Sequence, residues 1–71
     1  MATGIAIARR RRQLSMSQKL LSGLSGIQRS YISDVESGRR NLSLRNLVAL
    51  AGALGQSAST LLATIEEICT E

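Results

Sequence analysis

The stretch "SQKLLSGLSGIQRSYISDVESG", residues 17–38, decides how this chain folds. Its apolar residues recur at helical spacing, and each of its two helical segments ends at a glycine. Ser17 is a favourable N-cap for the first segment, and Gly26 tolerates the left-handed backbone in which that segment ends. The second segment starts near Gln28 and stops at Gly38. The stretch therefore predicts two short helices joined by a tight turn.

Three more helices are predicted on either side of this pair. A first helix runs from about Thr3 to Leu14. Ser43 caps a fourth helix, which Gly55 ends, and Ser57 caps a fifth. No segment shows the strict alternation of apolar and polar residues that marks a half-buried strand. With 71 residues, the chain is predicted to form one small all-α domain of five short helices.

The charge of the chain is unevenly distributed along the sequence. The net charge is +4, yet residues 1–45 hold all nine basic residues with two acidic ones, and residues 46–71 hold three acidic residues and no basic one. A basic front half attracts a polyanion, so we expect it to bind nucleic acid while the acidic, apolar back half does something else. The alternative is an ordinary solvated domain with uneven surface charge.

The residue types that enzymes and metal sites use are largely missing. The chain has no histidine, and its single cysteine cannot build a zinc site. No nucleophile is paired with a base, and "SGLSG" at 22–26 lacks the strand and spacing of a phosphate-binding loop. Glu66 and Glu67 occupy successive helix positions, so they do not converge as a catalytic acid and base would. We therefore expect no enzyme, no metal and no cofactor.

The sequence also favours a cytoplasmic setting. No apolar run approaches the roughly 18 residues of a membrane span, and in "MATGIAIARRRR" the charges follow a short apolar run, the reverse of a secretory signal. Cys69 has no second cysteine in the chain to pair with, which suits a reducing compartment. A basic amphipathic peptide on a membrane surface is disfavoured, because all five helices have an apolar face.

Two short helices with a tight, glycine-containing turn are typical of a DNA-binding helix-turn-helix, although many helical bundles contain such a hairpin. Beyond this spacing, residues 16–62 resemble the phage-repressor and Cro-like helix-turn-helix family. The motifs that agree in register are "SQ" at 17–18, Leu21, Gly26, Ile32, "VESG" at 35–38 and "ALG" at 53–55. Within the family, "RSYISDVESGRRNLSL" at 29–44 is most similar to the controller proteins of restriction–modification systems. The resemblance implies a lambda-repressor-like domain with its helix-turn-helix at about 17–37.

The resemblance implies that the third helix enters the major groove of DNA, where the first turn of such a helix meets base edges. Arginine pairs with guanine, and glutamine with adenine, through two hydrogen bonds. The expected base-reading residues are Gln28, Arg29, Ser30, Tyr31, Ser33 and Asp34. The expected phosphate-contacting residues are Ser17, Gln18, Arg39, Arg40, Asn41 and Ser43.

Several of these residues admit a second interpretation. Tyr31, the only aromatic residue, either contacts DNA or packs with a hydrogen-bonded hydroxyl at the border of the core. Asp34 accepts a hydrogen bond from cytosine, orients Arg29, or stays a solvated acid that disfavours wrong sequences. Gln18 either meets phosphate or is an ordinary surface glutamine.

Glu36 is expected to have a structural role, because a buried carboxylate without a partner is costly. The family places an arginine seven residues before the position of Gln18 and a glutamate eighteen residues after it. Here those residues are Arg11 and Glu36, so we expect a bridge that clamps the first helix to the third. The neighbouring arginines are expected to be solvated or to face phosphate: Arg9, Arg10 and Arg12.

The chain departs from the family pattern around its first two helices. Ser15 stands where glycine is common, which predicts a tighter or frayed turn. Arg10 stands where an apolar residue is usual, so Ile7 and Leu14 are expected to anchor the first helix. Ser22 replaces the usual alanine of the second helix, and its small side chain is expected to fit.

The back half is expected to form a homodimer through a region at about 44–69. Its apolar residues exceed what so small a core absorbs, and an apolar patch away from the basic face suits a twofold interface. A fifth helix that simply packs on the core is the alternative. The expected interface residues are Leu50, Leu62, Ile65 and Ile68.

Together these features predict a transcription regulator that binds double-stranded operator DNA sequence-specifically as a homodimer. The narrower resemblance implies a controller of a restriction–modification operon, with two dimers on adjacent sites. A phage-type repressor or an autoregulatory antitoxin is the nearest alternative. A helical protein–protein adaptor is the alternative from another class, and absence of salt-sensitive DNA binding would favour it.

Overall fold

The computed structural model describes residues 2–70 and contains five α-helices. They are α1 (Ala2–Gln13), α2 (Gln18–Ser25), α3 (Arg29–Glu36), α4 (Leu44–Ala53) and α5 (Ala58–Thr70). No strand lies within this range. The predicted all-α domain of five short helices is therefore confirmed, and the helices begin at or next to the expected residues.

Serine side chains cap three of these helices, as predicted. The Oγ of Ser17 accepts a hydrogen bond from the backbone N–H of Leu20 at 2.9 Å, and the Oγ of Ser43 accepts one from Asn46 at 3.2 Å. Ser57 caps α5 in the same way. Each cap occupies one of the N–H groups that have no partner within the first turn of a helix.

The backbone of Ser15 explains the tight turn between α1 and α2. Its φ of 54° lies in the left-handed region, which glycine adopts more readily than serine does. α1 already ends at Gln13, and the following Leu14 is 41% exposed. Leu14 is therefore not an anchor of the first helix, and that prediction is wrong. Ile7 does anchor it, because its side chain is fully buried.

Arg10 holds α1 against the end of α4. Its Nε donates a hydrogen bond of 3.0 Å to the carbonyl oxygen of Leu54, the residue that follows α4. A cation at this place satisfies a free carbonyl group and interacts favourably with the negative end of the helix dipole. The expectation that Arg10 is solvated or faces phosphate is therefore wrong.

The core is aliphatic and receives side chains from all five helices. Its fully buried large side chains are Ile7, Leu21, Ile32, Val35, Leu50, Leu54 and Leu61. Leu50 has no exposed surface, so it cannot lie in a dimer interface, and this part of the predicted interface is wrong. It points inward because it shares one face with Leu47 and Leu54, three residues before it and four after it.

α1 and α3 approach each other closely at Gly4. A Cβ atom added to Gly4 would overlap the carbonyl oxygen of Val35 and would lie 2.8 Å from that of Glu36. Any larger residue would push the two helices apart, because backbone atoms cannot move aside as a flexible side chain can. Gly4 therefore sets the distance at which α1 packs on α3.

Within residues 2–70, no single helix is long and apolar enough to cross a membrane. α4 and α5 would reach that length only as a pair, and the two are bent by 103° relative to each other.

Candidate nucleic-acid interface

α3 turns its polar side chains outward because its apolar residues are packed into the core. Ile32 and Val35 are buried, and this sets the rotation of the helix about its axis. The base-reading candidates that become exposed are Gln28, Arg29, Ser30 and Ser33. The start of α3 thus presents hydrogen-bonding side chains on one accessible surface.

Arg29 and Asp34 do not pair with each other. Asp34 is half-buried, and its backbone carbonyl accepts a hydrogen bond from the N–H of Arg39 at 2.8 Å. Within the described residues, the one pair of opposite charges in contact is Arg11 with Glu36. Asp34 therefore does not orient Arg29 in this structure, and the guanidinium of Arg29 is available to another partner.

Tyr31 is half-buried where α3 meets the loop to α4. Its hydroxyl oxygen lies 3.4 Å from the carbonyl oxygen of Asn41 and 3.4 Å from the backbone nitrogen of Ser43. The guanidinium carbon of Arg40 lies 5.0 Å from the centre of the ring, a cation–π distance. Hydrogen bonding from Asn46 in particular lowers the pKa of Tyr31 below its ordinary value of 10.0. Tyr31 packs at the border of the core, beside the exposed first turn of α3.

The loop after α3 adds two cations to this surface. Arg39, Arg40 and Asn41 are all exposed. Gly38 adopts a φ of 80°, which turns the chain out of the helix and is open to glycine at little cost. The loop therefore offers side chains suited to phosphate next to side chains suited to base edges.

The first turns of α2 and α4 offer further hydrogen-bond donors. Ser17 and Ser43 each use a lone pair to cap a helix, and each hydroxyl keeps its proton, which it can donate to a phosphate oxygen. The positive end of the helix dipole favours an anion at the same places. Arg45 is exposed in the first turn of α4. We did not predict it as a contact, although its charge belongs to the basic front half of the sequence.

A partly buried cluster of Arg11, Gln18 and Glu36 links α1, α2 and α3. The Nε and Nη2 of Arg11 lie 2.8 Å and 2.9 Å from the two carboxylate oxygens of Glu36. Gln18 donates its Nε2–H to the same carboxylate at 3.1 Å, and Arg11 also donates to the carbonyl of Met16 at 2.9 Å. The structure thus brings the two expected partners together in a bidentate bridge.

The same cluster fixes the charge of Glu36. Partial burial by itself raises the pKa of its carboxyl group, but the hydrogen bonds from Arg11 and Gln18, with the charges of Arg11 and Arg12, outweigh burial. The pKa of Glu36 therefore lies below its ordinary value of 4.5, and the bond to Glu36 raises the pKa of Arg11. Gln18, held by this carboxylate, keeps a second N–H that can face a phosphate.

Asn46 is a site residue that we did not predict. It is half-buried in the first turn of α4, and its side chain lines a surface depression next to the start of α3. The other residues that line this depression are Gly26, Ile27, Gln28 and Tyr31. In the sequence, the only distinguishing feature of Asn46 is its position three residues after the cap at Ser43, which does not indicate that it lines a depression with Tyr31.

The remaining residues of the expected interface lie on α5. Leu62 is 47% exposed, whereas Ile65 and Ile68 are half-buried and pack against the core. A shallow groove on this helix is lined by Ser59, Leu62, Ala63, Ile65, Glu66 and Cys69. Leu62 is therefore accessible to a partner, Ile65 lies between the core and the groove, and Ile68 packs against the core without lining the groove.

Within residues 2–70, no three His, Cys, Asp or Glu side chains come close enough together to hold a metal ion.

The family model described as helix-turn-helix matches residues 7–61 of this chain. The control protein C.SmaI of Serratia marcescens is 44% identical over 48 residues, which are 68% of this chain and 57% of that protein. This chain thus spans little more than half the length of that relative. The control protein C.MunI of Mycoplasma sp is 34% identical over 58 residues, which are 82% of this chain and 78% of that protein.

A solved structure shows the same architecture. The restriction-modification controller protein C.AhdI from Aeromonas hydrophila aligns with a TM-score of 0.81 and 40% identity, over 84% of this chain and 91% of that one. This likeness confirms the fold that the motifs implied.

Proposed function

The chain belongs to the helix-turn-helix family, and from that premise we propose that it is a transcription regulator that binds operator DNA sequence-specifically as a homodimer. The observation that carries the proposal is the exposed first turn of α3 together with the cationic loop of Arg39 and Arg40 after the helix, in which Arg40 lies over the ring of Tyr31. Base-reading and phosphate-binding side chains then lie side by side, as an interface with duplex DNA requires.

In this proposal α3 is the recognition helix and lies in the major groove. Arg29 pairs with O6 and N7 of guanine, and Gln28 pairs with adenine. Asp34 accepts from cytosine N4 or disfavours sequences that place an acceptor there. Ser30, Tyr31 and Ser33 complete the base-reading surface.

Phosphate contacts set the position of α3 and most of the affinity, without reading sequence. Gln18 contributes its free N–H from the start of α2. The remaining phosphate ligands are Ser17, Arg39, Arg40, Asn41 and Ser43. Because arginine displaces condensed counterions from DNA, binding weakens steeply as the salt concentration rises.

The homodimer forms through α5 in this proposal, with Leu62 at its centre and Ile65 and Ile68 beside it. A twofold dimer places two recognition helices about 34–36 Å apart on one face of the duplex. The operator is therefore an imperfect palindrome with half-sites about one helical turn apart. A protein with this role acts in the cytoplasm.

We further propose that the operon controlled is a restriction–modification operon. Support comes from the similarity of this chain to control proteins and to a restriction-modification controller protein of known structure, and from the run "RSYISDVESGRRNLSL" at 29–44. Two dimers would occupy adjacent sites upstream of the protein's own gene. The first dimer would activate transcription and the second would repress it. Expression would then limit itself, and the endonuclease would appear only after the DNA has been methylated.

Footprinting of the region upstream of the gene, together with promoter activity over a range of protein concentrations, tests the proposal. Two sites that fill in sequence, with activation followed by repression, are expected. One isolated dimer site with repression only would indicate a phage-type repressor or an antitoxin. Absence of salt-sensitive binding to any duplex would point to a protein–protein adaptor.

A further inference from the structure

Two neighbouring arginines of α1 hold two different parts of the molecule. Arg11 binds the carboxylate of Glu36 at the end of α3, while Arg10 donates its Nε–H to the carbonyl oxygen of Leu54, 3.0 Å away. Leu54 follows α4 and precedes the turn that leads into α5. Consecutive residues of one helix therefore connect it to the end of the recognition helix and to the turn before the proposed dimer helix.

The turn after α4 leaves the carbonyl group of Leu54 for a donor from another helix. The N–H of Gln56 binds the carbonyl oxygen of Ala51 at 2.9 Å, which closes the end of α4. A carbonyl at the end of a helix lacks the N–H partner that a further turn would supply, and Arg10 provides that donor from α1. The side chain of Arg10 is half-buried, and its Nη2 would lie 3.7 Å from a Cβ atom added to Gly55. The guanidinium group thus lies against the turn itself.

The packing of the helices makes α1 the link between the reading half and the dimerising half of the molecule. α1 packs on both α3 and α5, whereas α3 packs chiefly on α1 and α2, and α5 on α1 and α4. A rotation of α5 against α3 would therefore disturb the packing of α1 on at least one of them. The hydrogen bonds of Arg10 and Arg11 oppose such a rotation, because one of them has to lengthen or break when a helix turns away from α1.

We propose that Arg10 is a positioning residue, which fixes the turn before α5 against α1 and so sets the separation and angle of the two recognition helices in the homodimer. This role rests on the proposed function, because it requires a dimer through α5 and a recognition helix in α3. Each half of the operator is read by a different protomer, so a contact within one protomer acts on recognition without touching DNA.

The distance between the two recognition helices can be measured in the free dimer. Ser33 is exposed on α3 and Cys69 is the single cysteine, so Ser33→Cys in a Cys69→Ser background places one spin label on each protomer. Double electron–electron resonance then gives the distribution of the label-to-label distance. Arg10→Met, which keeps the apolar stem and removes the donor, is expected to broaden or shift this distribution. Arg9→Met removes the same charge from an exposed position of α1 and should leave it unchanged.

The outcomes of this measurement separate the positioning role from the dimer on which it rests. Circular dichroism verifies that the variants are folded, and Arg10→Lys, which keeps a charged donor, should broaden the distribution less than Arg10→Met does. The same distribution in folded Arg10→Met as in the parent dimer would overturn the positioning role alone. Absence of any dipolar signal from the parent protein would instead overturn the proposed homodimer, and the positioning role with it.

Operators with altered spacing test the consequence for recognition. The measured quantity is the ratio of the affinity for the operator to the affinity for the same operator with one base pair inserted between its half-sites. In the parent protein, binding to the longer operator has to strain or break the bond of Arg10, and this cost adds to the preference for the natural spacing. Arg10→Met is therefore expected to lower the ratio about 2- to 10-fold, the change that corresponds to the loss of one hydrogen bond.

Arg9→Met is the matched control in this assay as well. It should leave the ratio unchanged, because a lost charge weakens both complexes alike. Equal ratios for the parent and both variants would overturn the role of Arg10 in recognition. If the protein binds no duplex in preference to another, the proposed function fails, while the resonance measurement still decides whether Arg10 sets the distance between the two α3 helices.

Discussion

Among single residues, the two exposed arginines Arg29 and Arg39 differ only in where the backbone places them. Arg29 lies in the first turn of α3 and Arg39 in the loop that follows. Arg29→Ala is expected to lower operator affinity by about 1–3 kcal/mol and to relax the preference at one base pair. Arg39→Ala, the matched control, should weaken operator and unrelated duplexes alike. Fluorescence anisotropy on a panel of operator variants at one salt concentration measures both. A loss of equal size across the panel for Arg29→Ala would contradict base reading.

The bridge between Arg11 and Glu36 predicts an unequal response of two acidic residues of α3. Glu36→Ala would leave the guanidinium of Arg11 partly buried without its carboxylate, at a cost of about 3 kcal/mol in the free energy of unfolding. Asp34→Ala removes a half-buried acid that is not in contact with a cation, and should cost much less. Urea denaturation of the two variants compares them directly. Small and equal losses would refute a structural role for the bridge.

The same bridge gives stability a definite dependence on pH. The folded pKa of Glu36 lies below its ordinary value of 4.5, so the unfolded chain binds this proton more readily than the folded one. The contribution of Glu36 is therefore fully present above about pH 4.5 and is lost as pH falls through the lower folded pKa. Urea denaturation between neutral and acidic pH should show a shallower loss for Glu36→Gln than for the parent protein. Parallel curves would contradict the lowered pKa.

Individual side chains were predictable where a motif fixed both partners. Glu36 and Arg11 both stand in motif positions, and the structure brings them into contact. The prediction for Arg10 was wrong because its partner is the backbone carbonyl of Leu54, and every residue has a carbonyl, so the sequence does not mark this one. Asn46 was missed for a similar reason, since its neighbour Tyr31 lies on another helix.

At the scale of helices, Gly4 makes the packing of α1 on α3 sensitive to a single methyl group. Gly4→Ala is expected to lower the free energy of unfolding by about 1–3 kcal/mol, as overpacking does. Gly23→Ala is the matched control, because nothing lies within 4 Å of its added Cβ and alanine favours a helix more than glycine does. Thermal denaturation should therefore move the two midpoints in opposite directions. A stabilised Gly4→Ala variant would contradict the close approach of the two helices.

Helix boundaries were predictable because the signals that set them are local. A serine followed by a helical run needs no knowledge of the rest of the molecule, and Ser17, Ser43 and Ser57 all act as caps. The orientation of a helix is harder to predict. α4 has apolar residues on more than one side, so spacing alone did not show that Leu50 faces the core and Val48 the solvent.

For the whole molecule, the proposed dimer through α5 can be tested at the exposed apolar side chain of Leu62. Leu62→Glu is expected to shift the protein from dimer to monomer at micromolar concentration, because a charge would replace apolar contact area in the interface. Leu20→Glu is the matched control, since Leu20 on α2 is similarly exposed at 50% and lies outside the proposed interface. Sedimentation equilibrium measures the difference. A Leu62→Glu variant that remains dimeric would place the interface elsewhere.

The backbone of Ser15 has a consequence for how long each molecule survives in a cell. A left-handed serine costs about 1 kcal/mol or more, part of which glycine would recover despite its greater freedom in the unfolded chain. Ser15→Gly should therefore shrink the unfolded fraction roughly 2- to 5-fold. Cellular proteases act mainly on that fraction, so the variant would be degraded more slowly in a pulse-chase measurement. We therefore expect the left-handed serine on this exposed turn to speed the turnover of the protein without changing any residue that we propose to meet DNA.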